Sequence, residues 1–168
     1  INDTSPTITT GRTADYGALS PTWVSYTVKA ASANKQRDVP STGIAAVTFD
    51  YTGKILASNG QTWANTGMTY DNNEWHTVTL KLDFTTHRYD LYISPFNNPN
   101  IQFVPVLSNL KFIDTSVSKF SYFGFSGAYS SGGRANSFVD DISVSYIYRL
   151  EFVSTPQVIS QDEISGPI

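Results

Sequence analysis

Two adjacent segments of this chain alternate apolar and polar residues, and they narrow the range of possible folds. The first runs from Trp75 to Asp83 (WHTVTLKLD) and the second from His87 to Ser94 (HRYDLYIS). A period of two is that of a β-strand with one buried face, and only the three residues Phe84 to Thr86 connect the segments. The pair is therefore predicted to form an antiparallel hairpin that covers a core on one side.

The same alternation recurs along the chain, at Trp23 to Ala30, Ile44 to Tyr51, Ile55 to Ser58, Phe120 to Ser126 and Phe138 to Tyr148. Clusters of Gly, Asn, Asp, Ser and Pro separate these segments. Many short strands at this spacing are typical of an all-β fold, a two-sheet antiparallel β-sandwich or jelly roll. We assign residues 1–153 to the sandwich and residues 154–168, where the alternation ends, to a C-terminal tail or linker.

The composition excludes several classes of partner and chemistry. The chain has 168 residues with a net charge of −3, which argues against nucleic acid and anionic membranes, because both attract basic surfaces. The absence of cysteine excludes disulfides, thiolate metal sites and cysteine nucleophiles. A chain rich in Ser, Thr, Asn, Tyr and Gly but poor in Lys and Glu is typical of a bacterial extracellular β-protein, so we expect a secreted or cell-surface location.

Several short motifs resemble a known family. Between Gly53 and Ile93 the chain carries, in order, Gly-x-Ile, Trp-x-x-Thr-Gly, Trp-His, Asp-x-x-Thr and Tyr-Asp-Leu-Tyr, and FVDDISV spans Phe138 to Val144. These resemble the central hairpins and the closing strand of laminin-G-like, concanavalin A-like domains of bacterial extracellular proteins. The resemblance implies a concanavalin A-like jelly roll of the carbohydrate-binding module type. It leaves the function open, because this fold carries lectins, binding modules, hydrolases and lyases.

Catalytic motifs known on this fold are missing. The β-glucanases of this sandwich carry Glu-x-Asp-x-x-Glu on one strand, whereas Glu occurs here only near turns or the tail. Alginate lyases of this fold show Gln-x-His and Tyr-x-Lys-x-Gly-x-Tyr strands, which the chain lacks. His76 shares the parity of the core residue Val78, and His87 lies at the hairpin turn, where we expect it to be solvated. We therefore predict that the protein is not an enzyme, with a polysaccharide lyase or glycoside hydrolase as the alternative.

The closing-strand motif also implies a cofactor. Related domains often place an Asp of this strand on a structural Ca²⁺, and the matching residue here is Asp140. Ca²⁺ needs several hard oxygen ligands. The others would be backbone carbonyls or an N-terminal group such as Asp3. The alternative is a turn aspartate that is hydrogen-bonded to the main chain.

Aromatic residues that point away from the core are the candidates for sugar binding. Trp23 is out of phase with the apolar residues of its strand, and so is Tyr92. Parity places five side chains on one outer face, and we predict that this face binds the ligand: Trp23, Lys81, Arg88, Asp90 and Tyr92. The alternative is an ordinary solvated sheet face with cross-strand ion pairs.

The sequence thus predicts a non-catalytic carbohydrate-binding module that binds a polysaccharide or oligosaccharide and is attached to a catalytic or adhesive domain in a longer chain. Lys81 and Arg88 favour an acidic polysaccharide, an effect that Asp90 partly cancels. A spacer domain without a sugar site is a further alternative. If the outer face is not the site, the rim around Tyr16, Trp63 and Tyr129 is the next candidate.

Overall fold

The computed structural model describes residues 8–13, 21–31, 37–95, 104–127 and 137–146. Within these ranges the chain forms strands and turns, and no helix is present that could cross a membrane. In chain order the strands are β1 (Ile8–Thr13), β2 (Thr22–Lys29), β3 (Val47–Phe49), β4 (Lys54–Asn59), β5 (Thr62–Thr69), β6 (His76–Asp83), β7 (Arg88–Pro95), β8 (Leu107–Lys111), β9 (Tyr122–Gly127) and β10 (Phe138–Tyr146).

Two layers of antiparallel strands enclose the core. The first layer is a five-stranded sheet in the order β10–β2–β6–β7–β8. The second contains the three-stranded sheet β3–β4–β5 and the two-stranded ribbon β1–β9. The ribbon reaches the first layer through Phe125, whose ring lies edge-on to Tyr26 at 5.1 Å. The predicted all-β sandwich is confirmed, whereas the predicted tail at 154–168 lies outside the described residues.

Alternating side chains of β2, β6 and β7 supply the core from one side. Their buried members are Val24, Val28, Val78, Leu82, Tyr89, Leu91 and Ile93. Ile55 and Ala57 of β4 face them and are fully buried. Burying one aliphatic side chain stabilises the fold by about 1.5–3 kcal/mol, so these residues fix which face of each strand is the inner one.

The two histidines lie in different surroundings. His76 is 3% exposed, and its ring meets Phe49 edge-on at 6.1 Å, which confirms that it is a core histidine. His87 lies in the turn between β6 and β7 with a φ of 54°. It is half-buried against Phe112, with ring centroids 5.8 Å apart, so the expectation of a solvated side chain is wrong. The phenyl ring of Phe112 covers part of the imidazole. The sequence near the turn does not reveal this contact, because Phe112 is distant along the chain.

Strand register determines which side chains meet on the outer face of the five-stranded sheet. Trp23 of β2 lies opposite Lys81 of β6, and Lys81 lies opposite Asp90 of β7. Tyr92 of β7 lies opposite Thr79 of β6. The predicted binding residues are therefore neighbours on three adjacent strands.

Candidate functional site

The centre of the outer face is a pair of aromatic rings. Trp23 and Tyr92 are both half-buried, with centroids 5.6 Å apart and planes inclined by 37°. They approach each other diagonally across β6, because their partners on that strand, Lys81 and Thr79, are two residues apart and so point to the same face. The hydroxyl oxygens of Ser25 and Thr79 lie beside them, 2.8 Å apart and hydrogen-bonded. The sheet thus presents two rings and two hydroxyl groups on one surface.

Lys81 holds the Trp23 ring in place. Its Nζ lies 5.7 Å from the indole centroid, within range of a cation–π interaction worth about 0.5–1 kcal/mol at an exposed site. The indole N–H is covered and has no acceptor among the described residues. The N–H group of Trp23 is therefore not available to a ligand.

The Tyr92 hydroxyl keeps its proton over a wide pH range. Partial burial raises the pKa of Tyr92, and the negative charge of Asp90 raises it further. The neutral phenol remains both a hydrogen-bond donor and an acceptor. Its ring and its hydroxyl are thus available together for a ligand that has apolar faces and polar edges.

An open depression of about 910 Å³ lies next to this aromatic pair, at the hairpin turn. It is lined by Pro21, Lys81, Asp83, Thr85, Thr86, Arg88, Tyr89, Asp90 and Asn109. Most of these side chains are polar, and the depression is open rather than enclosed, which suits a hydrated ligand that runs along the surface. Three of the five predicted residues line it. Trp23 and Tyr92 are not among its lining residues and are connected to it through Lys81, which lies opposite Trp23, and Asp90, two residues from Tyr92.

The charges of the depression balance. Lys81 lies opposite Asp90 and Arg88 lies opposite Asp83 in the β6–β7 ladder, so two cations alternate with two carboxylates. Such a pattern creates little net field at the distance of a bound polymer. The depression itself therefore gives no electrostatic reason to prefer an acidic polysaccharide.

Arg88 and Asp90 both contact the neighbouring edge strand. Arg88 Nη1 donates to the backbone carbonyl of Asn109 at 2.9 Å. Asp90 Oδ1 accepts from the backbone N–H of the same residue at 2.9 Å. The two charged side chains predicted to bind the ligand thus hold the main chain of Asn109 as well.

Carboxylates in the described turns stabilise the turn backbone by accepting its N–H groups. In four cases a carboxylate oxygen accepts the backbone N–H two residues further on, as in an Asx turn: Asp50, Asp71, Asp83 and Asp114. The hydroxyl and then the backbone N–H of Ser116 lower the pKa of Asp114. The lowered pKa keeps the Asp114 carboxylate ionised, so it continues to accept these two hydrogen bonds down to a lower pH.

Asp140 lies where strand β10 is irregular. The register between β10 and β2 shifts between Asp140 and Ser143, and Asp141 has a φ of 51°. Because the strand is not regular here, parity does not place the two aspartates on opposite faces; both are exposed. Asp140 Oδ1 accepts the backbone N–H of Asp141 at 2.9 Å.

The described surroundings of Asp140 do not by themselves fit a calcium site. Within the described ranges no group of three or more Asp, Glu or His residues could hold a metal ion, and the suggested partner Asp3 lies outside these ranges. The contacts shown are those of an aspartate that caps a strand bulge. The calcium ion at Asp140 stays a prediction.

Melting experiments test the calcium prediction. If only the folded state binds Ca²⁺, a hundredfold excess over Kd stabilises it by about 2.7 kcal/mol. The melting midpoint should then rise from EDTA to Ca²⁺ in the wild type and stay constant in Asp140→Ala. Equal midpoints in the wild type would leave Asp140 with its role at the bulge alone.

Sequence reasoning missed the part of the depression that comes from β8 and from the turn. Asn109 and Thr85 line it but have no aromatic ring and belong to no motif, and Thr86 stands out only as the last residue of the Asp-x-x-Thr motif. The sequence feature at Asn109 is the polar pair Ser108-Asn109 between Leu107 and Leu110, which interrupts a strict alternation. It was not recognised since β8 itself was not predicted.

Comparisons with known proteins bear on the fold. No family model matches the chain, and no curated protein matches it. A solved sialidase structure is similar, with a TM-score of 0.58 and 13% sequence identity over 82% of this chain. The chain spans only 14% of that sialidase's length.

Two solved catalytic domains are also similar, though more distantly. They are a glycoside hydrolase family 131 protein from Coprinopsis cinerea and a GH131 β-glucanase from Podospora anserina. The first has a TM-score of 0.45 and 16% sequence identity, and the match covers 84% of this chain and 60% of that domain. The second has a TM-score of 0.44 and 13% identity, and the match covers 84% of this chain and 72% of that domain. The sialidase likeness supports the sheet-rich sandwich fold, and the concanavalin A-like family stays a prediction.

Proposed function

We propose that this chain is a non-catalytic carbohydrate-binding module whose binding surface is the outer face of the five-stranded sheet. The observation that carries the proposal is the pair of rings, Trp23 and Tyr92, 5.6 Å apart beside an open depression lined mainly by charged and polar residues. A sugar ring has partly positive C–H bonds that fit the negative face of an aromatic ring. Its hydroxyl groups need hydrogen-bonding partners at the ring edge, which the depression offers.

Pre-organisation supports the same proposal. Both rings project from central strands of the sheet, and Lys81 and the Ser25–Thr79 hydrogen bond fix their surroundings. A surface that is ordered before binding loses little conformational entropy when the ligand arrives. A polysaccharide strand is flexible and can bind an open face of this kind without a deep pocket.

The described carboxylates favour binding over catalysis. Asp83 and Asp90, which line the depression, each accept hydrogen bonds from backbone N–H groups. A nucleophile or general acid must instead direct its carboxyl group at the sugar. A polysaccharide lyase or glycoside hydrolase is the alternative, and a spacer without a sugar site is a third outcome of the test.

A polysaccharide-active or adhesive protein is the proposed setting. In the similar sialidase structure the match spans 14% of the chain, so there the fold is one part of a much longer protein. A module of this kind would hold a catalytic or adhesive partner domain close to its polysaccharide. That task requires a secreted or cell-surface location, which we include in the proposal.

Glycan binding tests the proposal directly. Retention of the wild type on immobilised β-glucan, xylan, mannan, alginate and polygalacturonate identifies the ligand, and calorimetry then gives Kd. Trp23→Ala and Tyr92→Ala should each weaken binding about thirtyfold or more, because truncating a central aromatic contact typically costs about 2 kcal/mol. Melting midpoints of both variants establish that the fold is intact at the assay temperature.

Tyr51→Ala is the matched control. Tyr51 is 51% exposed in the turn between β3 and β4, which belong to the other layer, and should not affect binding. Unchanged affinity in both ring variants would move the site elsewhere. The next candidate is then the predicted region of Tyr16, Trp63 and Tyr129, of which Tyr16 and Tyr129 lie outside the described residues. Release of reducing or unsaturated sugars by the wild type would identify an enzyme, and no binding to any polymer would identify a spacer.

A further inference from the structure

An irregularity in the sheet places one residue of the edge strand in an unusual position. Tyr89 lies opposite Leu110 and Leu91 lies opposite Leu107, so two residues of β8 face the single residue Asp90. One of the two is Asn109, which has a φ of 61°. Such a two-for-one bulge changes the direction in which a side chain points and is frequent next to functional sites.

Two charged side chains hold this bulge from the same face of β7. Arg88 binds the carbonyl of Asn109, and Asp90 binds its N–H, each at 2.9 Å. Charged partners make hydrogen bonds stronger and more directional than neutral ones do. The main chain of Asn109 is therefore fixed on both sides of its Cα atom.

The side chain of Asn109 remains available. It is exposed, it lines the depression, and no hydrogen bond to its amide group is found within the described ranges. An amide offers one acceptor oxygen and two donor hydrogens in fixed geometry. A sugar hydroxyl is both donor and acceptor, so a pair of neighbouring hydroxyls can bind the amide with two hydrogen bonds.

We infer that Asn109 is the residue that recognises the hydroxyl groups of a neutral sugar, and that Arg88 and Asp90 are positioning residues which hold it; this rests on the proposed function. The ligand is neutral because the charges that line the depression cancel, and because Arg88 and Asp90 are engaged with the main chain. Selectivity therefore comes from the amide, whereas Trp23 and Tyr92 provide the stacking surface.

If Asn109 has only a backbone role in the bulge, removing its side chain should leave ligand affinity unchanged. Asn tolerates a positive φ better than most residues, so it could stand here for backbone reasons only. Glycine tolerates this conformation at least as well and has no side chain. Asn109→Gly thus keeps the bulge and removes the amide.

The decisive measurement is the affinity of Asn109→Gly for the neutral polymer that binds the wild type, among β-glucan, xylan and mannan. We expect Kd to rise at least tenfold while the melting midpoint stays within a few degrees of the wild-type value. Wild-type affinity in Asn109→Gly, together with a loss of affinity in Trp23→Ala, overturns this inference and leaves the proposed function standing. A wild type that binds no polymer overturns both.

A double-mutant cycle separates positioning from direct contact. If Arg88 acts through Asn109, Arg88→Ala weakens binding in the wild type but causes no further loss in Asn109→Gly. Additive losses would show that Arg88 contacts the sugar itself.

The salt dependence of binding tests the neutral charge of the ligand. Affinity should change little from low to high salt, because a neutral ligand has no charge to screen. Preference for alginate or polygalacturonate with a steep salt dependence would overturn the neutral assignment.

Discussion

Replacing Tyr89 with alanine is expected to lower the free energy of unfolding by about 3–5 kcal/mol, the range for truncating a buried aromatic ring. Tyr89 is 1% exposed and is among the largest fully buried side chains. Its hydroxyl lies 3.1 Å from Ser58 Oγ and donates to the Ser58 carbonyl, so it links β7 to β4 across the core. Urea denaturation of the wild type and Tyr89→Ala measures the difference.

Tyr89→Phe separates the ring from its hydroxyl. This variant keeps the packing but leaves the Ser58 carbonyl without its donor, so a smaller loss of about 1–3 kcal/mol is expected. A loss as large as that of Tyr89→Ala would mean that the ring contributes little, contrary to its burial.

Alkaline pH provides a second test of the same residue. Burial raises the pKa of Tyr89 from 10.0 to about 12, and the hydrogen bond with Ser58 opposes this only in part. Since the folded-state pKa is the higher one, the stabilisation is complete below pH 10 and disappears as the pH rises towards 12. The wild type should lose about 3 kcal/mol more than Tyr89→Phe over this interval. Parallel losses would contradict the raised pKa.

The parts of the fold that sequence predicted are those with strict alternation. The hairpin appears as β6 and β7, with the turn one residue longer than expected, because His87 takes a positive φ and ends the turn. β2 is found one residue earlier than predicted, at Thr22–Lys29 instead of Trp23 to Ala30. In these strands every second side chain enters the core, so hydrophobicity alone determines the face.

Strands without that signal were missed for identifiable reasons. Leu107 and Leu110 of β8 both pair with core residues of β7 although they are three positions apart, because the bulge adds one residue between them. A search for period two therefore passes over LSNLK. β5 is an edge strand with mainly polar, part-exposed residues, and β1 (ITTGRT) is equally polar.

In the candidate site, too, the sequence predicted the side of the sheet on which residues lie but not the contacts that depend on strand order. Parity alone placed Trp23 and Tyr92 on an outer face, and both lie there. Their contact depends on the strand order β2–β6–β7, which pairs distant parts of the chain and leaves no local trace in the sequence. The bonds from Arg88 and Asp90 to Asn109 depend on the bulge, so sequence could name the two charges but not their partner.

Replacing Asp50 with alanine is expected to destabilise the protein by about 3 kcal/mol. The carboxylate is 4% exposed and accepts the backbone N–H groups of Thr52 and Lys54, at 2.8 and 2.9 Å, and the Thr52 hydroxyl. Alanine leaves both N–H groups without a partner in the tight turn between β3 and β4, and each unsatisfied group costs about 1–3 kcal/mol. Thermal or urea unfolding of Asp50→Ala provides the measurement.

Asp50→Asn is the control, because its amide oxygen can still accept the N–H groups of Thr52 and Lys54. The same variant tests whether the negative charge of Asp50 contributes to stability. Burial alone would raise the pKa of Asp50, but the hydrogen bonds from Lys54 and Thr52 and the charge of Lys54 together lower it. The folded-state pKa then lies below the unfolded value of 3.8, so the stabilisation is complete above that pH and is lost as the pH falls through the folded-state pKa. Below pH 4 the wild type should therefore lose stability more steeply than Asp50→Asn, while Asp114 titrates equally in both. Identical acid profiles would mean that the charge of Asp50 adds nothing to the turn beyond its acceptor oxygens.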